Sequence, residues 1–73
     1  MATFHIEAPV SLQGNEAFQT ALRSMKAQGL HGFSNEGKAI DVFVMPLFAE
    51  SFSNTLIAAM SAAGIDGITV ALQ

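Results

Sequence analysis

The chain has 73 residues, 51% of them hydrophobic and only 12% charged, and its net charge is -3. So short a chain is expected to form one domain spanning residues 1–73, and a core this small rarely supplies more than about 3–5 kcal/mol without a staple or a partner. It contains no cysteine, which excludes disulfides, thiolate metal sites and cysteine nucleophiles, and its only basic residues are Arg23, Lys26 and Lys38, too few to follow a phosphate backbone.

Taken in chain order, TFHIEA (residues 3–8) alternates strictly. Phe4, Ile6 and Ala8 fall on one face, Thr3, His5 and Glu7 on the other, and Pro9 closes the strand. SLQGN reads as a loop with Asn15 as an N-cap. EAFQTALRSMKAQ then places Phe18, Ala21, Leu22 and Met25 along one helical stripe, and Gly29 is expected as the glycine that stops the helix.

LHGFS reads as a short second strand and SNEGK as its turn. A type I turn with left-handed Gly37 pairs Ser34 with Lys38, Phe33 with Ala39, His31 with Asp41 and Leu30 with Val42. In that register Phe33 and His31 share a face with Phe43, and Leu30 and Gly32 point to the core. A loop one residue longer reverses both assignments.

AIDVFVM (residues 39–45) is apolar on both faces. Ile40, Val42 and Val44 point one way, and Asp41, Phe43 and Met45 the other. After Pro46 a second helix carries Phe48, Phe52, Leu56, Ala59 and Ala63 at helical spacing and stops at Gly64. DGITVAL returns as a strand with Ile68, Val70 and Leu72 on one side. The longest charge-free window, Ser51 to Ile65, falls short of the roughly 20 apolar residues a membrane helix needs. The N-terminus lacks the basic and apolar regions of a secretory signal, so a cytoplasmic location is expected.

The order β-α-β-β-α-β, with right-handed crossovers, implies a four-stranded antiparallel sheet in order 4-1-3-2 with both helices on one face. The expected fold is therefore α+β, the ferredoxin-like sandwich.

On that topology the face away from the helices carries Phe33, Phe43 and Met45 as apolar anchors. His5, Glu7, His31 and Asp41 are the polar groups that set orientation. The second helix has Glu50 as its single charge and small neutral residues on its outer side. Both surfaces point to a homo-oligomer, a dimer or higher. The function expected is a small non-enzymatic binding module that occupies a protein partner's surface or binds a small ligand between subunits, as an accessory or inhibitory protein does.

Other chemistry is less well supplied. His5 or His31, oriented by Glu7 or Asp41, is the one candidate general base, and a small dimeric enzyme built on it is the alternative. The same four side chains lack diagnostic metal-ligand spacing, so no metal and no cofactor are expected. GLHG and GIDG lack the strand and helix context of a phosphate cradle. RNA-recognition domains share the topology, but KAIDVFV lacks the glycine-aromatic opening of their third-strand motif, and no nucleic acid partner is expected. Heavy-metal-associated domains share it too, but VSLQGN stands where their two cysteines would be. The topology is also that of ACT-type regulatory domains, which bind small molecules at subunit interfaces, and this is a further alternative.

Overall fold

The computed structural model describes residues 2–73 and has the expected order: β1 (Ala2–Glu7), α1 (Glu16–Ser24), β2 (Gln28–Ser34), β3 (Ala39–Val44), α2 (Pro46–Ala62) and β4 (Thr69–Leu72). The strands form one antiparallel sheet in the order β2-β3-β1-β4, which is 4-1-3-2 read from the other edge. This is the ferredoxin-like topology. No helix among the described residues is long and apolar enough to cross a membrane.

Strand alternation decides which side chains meet the helices. Phe4 and Ile6 of β1 and Ile40, Val42 and Val44 of β3 join Phe18 and Ala21 of α1, its C-cap residue Met25, and Phe52, Leu56 and Met60 from α2 in one core. Phe4 and Phe52 stack in a tilted arrangement with ring centroids 4.9 Å apart. No buried polar or charged residue interrupts this core among the described residues. On α2 the buried stripe ends on Met60, and the expected Ala63 is exposed at the helix C-cap.

Both helices close with the same backbone device. In α1 the Ala27 N–H donates to the Leu22 carbonyl and the Lys26 N–H to that of Arg23. In α2 the Ile65 and Gly64 N–H groups donate to Met60 and Ser61. Each is a Schellman motif, which needs a left-handed residue just past the C-cap. Gly64 supplies it in α2 (φ 86°), as expected, whereas Lys26 supplies it in α1 (φ 55°). Gly29 is therefore not the stop of α1: the helix ends at Ser24, and Gly29 lies within β2 opposite Val42. At the other end of α1, Asn15 caps as expected, its side-chain oxygen accepting from the Phe18 N–H at 2.9 Å.

The loop before α1 is part of the core. Leu12 is fully buried, its N–H donates to the Gly37 carbonyl at 2.8 Å, and the Ala8 N–H donates to Lys38 at 2.9 Å. These bonds tie the β1–α1 loop to the β2–β3 turn.

That turn corrects the expected register. Asn35, Glu36 and Gly37 all have positive φ (51°, 59° and 85°), so the reversal occupies residues 35–38 and Ser34 pairs with Ala39. With the loop one residue longer, Phe33 pairs with Ile40 on the core side. A bulge at His31 and Gly32 (φ 61° and 76°) then resets the strand, so that Leu30 pairs with Asp41 and Gly29 with Val42. Leu30 consequently lies on the outer face and Phe33 on the inner one, the reverse of the sequence expectation. Phe33 packs against the core with its ring 6.3 Å from that of Phe18.

Candidate functional site

The site is built on the outer face of the sheet, where β1 contributes Thr3, His5 and Glu7, β3 contributes Asp41 and Phe43, β2 contributes Gln28 and Leu30, and β4 contributes Thr69 and Ala71. Cross-strand partners stand close enough for their side chains to touch, and diagonal ones remain within reach of long side chains. His5 and Asp41 are direct partners. His5 Nδ1 lies 2.6 Å from Asp41 Oδ1, and His5 Nε2 lies 3.7 Å from Glu7 Oε2.

The imidazole thus has a carboxylate at each nitrogen. The hydrogen bond to Asp41 is the main reason that its pKa is raised above the ordinary value of about 6.5; desolvation opposes it, and the nearby charge of Asp41 and the weaker contact to Glu7 add to the rise. When protonated, His5 donates to Asp41 and presents its second N–H toward Glu7. Such a histidine holds its proton more tightly than a free one.

Asp41 faces Leu30 on its other side, and Phe43 lies between Thr3 and Gln28. Leu30 and Phe43 are diagonal neighbours, both half-buried although no helix covers this face. They form its apolar part beside the His5–Asp41 pair. Met45 follows the last strand residue as the N-cap of α2 and is 45% exposed, at the rim.

Of the seven residues expected here, the structure places His5, Glu7, Asp41 and Phe43 on the outer face together, with Met45 at its margin. Phe33 does not belong to it, because the longer turn directs its ring into the core. His31 does not either: it occupies the bulge, left-handed and exposed, and Leu30 takes the place opposite Asp41 that the sequence had given to it. Leu30 is the residue that sequence reasoning missed. The signal for it was Gly32, since a glycine inside a strand pattern often marks a bulge.

Among the described residues no group of three or more histidine and acidic side chains is arranged to hold a metal ion. A shallow cleft of about 290 Å³ lies at the far end of β1 from Phe43, lined by Glu7, Ala8, Pro9, Asn35, Gly67 and Thr69. It is just below the lower limit of ordinary ligand pockets, about 300 Å³, and lacks the aromatic lining typical of them. The face can therefore offer an extended surface with a charged hydrogen-bonded centre and an apolar flank.

No family model matches this chain, and comparison with curated proteins and with solved structures returns no match.

Proposed function

We propose that the chain is a small non-enzymatic binding module that self-associates and either occupies the surface of a protein partner or binds a small ligand between subunits. The observation that carries this reading is the diagonal placement of Leu30 beside Phe43 on the sheet face that no helix covers, next to the His5–Asp41 hydrogen bond. Solvated sheet faces more usually alternate to polar residues. An apolar pair flanked by a fixed polar pair has the composition of a small recognition surface, with an anchor and an orienting group.

The charge-poor outer side of α2 supports the same reading. Its exposed residues include Leu47 at 82% and Ile57 at 40%, and neither its first turn carries an acid nor its last turn a base. A helix facing only water usually carries more charge.

The test is the molar mass in solution, by light scattering after size exclusion, over a tenfold range of concentration. A mass of two or more chains that survives dilution supports the reading. A 7.7 kDa monomer throughout removes self-association from it.

A further inference from the structure

The two edges of the sheet are not alike. β2 is interrupted by the left-handed His31–Gly32 bulge, a feature that spoils an edge as a template for another strand. β4 has the sequence TVAL, with no charge, no proline and no bulge in its pairing to β1.

The direction of its backbone groups follows from the ladder. The Gln73 N–H donates to the Thr3 carbonyl at 2.8 Å, and Phe4 pairs with Leu72. In an antiparallel pair hydrogen-bonded and non-bonded positions alternate, so Thr69, Ala71 and Gln73 turn their backbone groups toward β1. Val70 and Leu72 turn theirs to the open edge. The Leu72 side chain, on the helix side of the sheet, is 69% exposed.

We infer that this edge is where a second copy of the chain attaches, by antiparallel β4–β4 pairing about a twofold axis at Ala71. This rests on the self-association proposed above and assigns its interface. In that register Val70 and Leu72 of each copy exchange backbone hydrogen bonds with Leu72 and Val70 of the other. Leu72 is covered by the second copy's Val70, and the sheet runs continuously through both chains.

Charge favours a second copy as the occupant. Residues 67–73 carry no charged side chain, so two copies of an acidic protein meet here without apposing like charges. The pairing also leaves the outer face with Leu30, Phe43 and the His5–Asp41 pair open in both copies, free for a different partner.

The register predicts a covalent test. Ala71 faces its own copy in a non-hydrogen-bonded pair, with Cα atoms about 4.5 Å apart, within the span a disulfide bridges. The chain has no cysteine, so Ala71→Cys introduces the sole thiol. Under mild oxidation at low micromolar protein it is expected to form a disulfide-linked dimer on a non-reducing gel, while Ser51→Cys on the exposed side of α2 forms no disulfide-linked dimer.

Leu72→Pro removes an N–H directed to the open edge, as proline is tolerated on edge strands, and Leu72→Lys keeps the backbone but sets a charge against the second copy's Val70. Both are expected to reduce the wild-type oligomer to 7.7 kDa with the circular dichroism of the fold retained. Phe43→Asp is expected to leave the mass unchanged. An oligomeric wild type whose mass neither Leu72 variant changes, with no Ala71→Cys dimer, overturns the β4 interface while self-association stands. Dissociation by Phe43→Asp instead moves the interface to the sheet face and likewise overturns it. A monomeric wild type overturns both.

Discussion

His5 Nδ1 and Asp41 Oδ1 are 2.6 Å apart across the β1–β3 ladder, and the pair is tied to pH in a definite direction. The folded pKa of His5 is raised, so the stability it contributes is fully present below the unfolded value of about 6.5 and is lost as pH rises through the folded value. Asp41→Asn is therefore expected to lower stability more at pH 6 than at pH 9. The difference should lie within the about 0.2–1 kcal/mol of solvent-screened pairs. Urea unfolding at the two pH values checks this, and a gap that widens toward pH 9 contradicts it.

Phe33 and Phe43 should differ in what truncation costs. Phe33 packs on the core beside Phe18, and because it is only half-buried Phe33→Ala is expected to cost about 2–3 kcal/mol, below the 3–5 kcal/mol of fully buried rings. Phe43→Ala, on the uncovered face, should cost about 1 kcal/mol or less. Chemical denaturation of the two variants at one low concentration separates them, and a larger loss from Phe43 would reverse the assignment of faces.

The contrast between these two phenylalanines also marks what the amino-acid sequence discloses. Strict alternation in β1 and β3 assigns their faces directly, because a pleated strand offers no other arrangement for Phe4/Ile6 or Ile40/Val42/Val44. The order of elements and the place of Gly64 follow from periodicity and turn chemistry. β2 is different: its face depends on a turn that adopts left-handed geometry at Asn35 and Glu36, and on a bulge at His31, all non-glycine residues that ordinarily avoid positive φ. The errors at Phe33, His31 and Leu30 share that single origin. Leu12 was hidden for another reason, since one apolar residue in a polar loop has no periodicity to reveal its burial.

Glycines of like φ should differ in what replacement costs. Gly37 (φ 85°) and Gly64 (φ 86°) are both left-handed, but a Cβ on Gly37 would collide with the Ser11 side chain, whereas one on Gly64 meets nothing within 4 Å. Gly64→Ala should cost about 1–2 kcal/mol from backbone strain alone. Gly37→Ala should cost more, because it also displaces the loop that carries Leu12. Thermal unfolding of the two proteins gives the comparison, and equal losses would mean that the loop yields freely.

Lys26 offers a change in the stabilising direction. It occupies the left-handed position of the α1 Schellman motif with φ 55°, where glycine lacks the Cβ penalty. Lys26→Gly is expected to raise stability by up to about 1 kcal/mol, the left-handed cost less the entropy glycine adds to the unfolded chain. A lower midpoint in denaturant at unchanged slope would show that the lysine side chain contributes more than its backbone costs.

The outer site as a whole depends on the register between β2 and β3, and cross-strand nuclear Overhauser effects in the isotopically labelled protein read it directly. The contacts expected are Leu30 with Asp41, Phe33 with Ile40, and the Phe33 ring with that of Phe18. Contacts of His31 with Asp41 and of Phe33 with Ala39 would instead return Phe33 to the outer face, remove Leu30 from it, and contradict the site described.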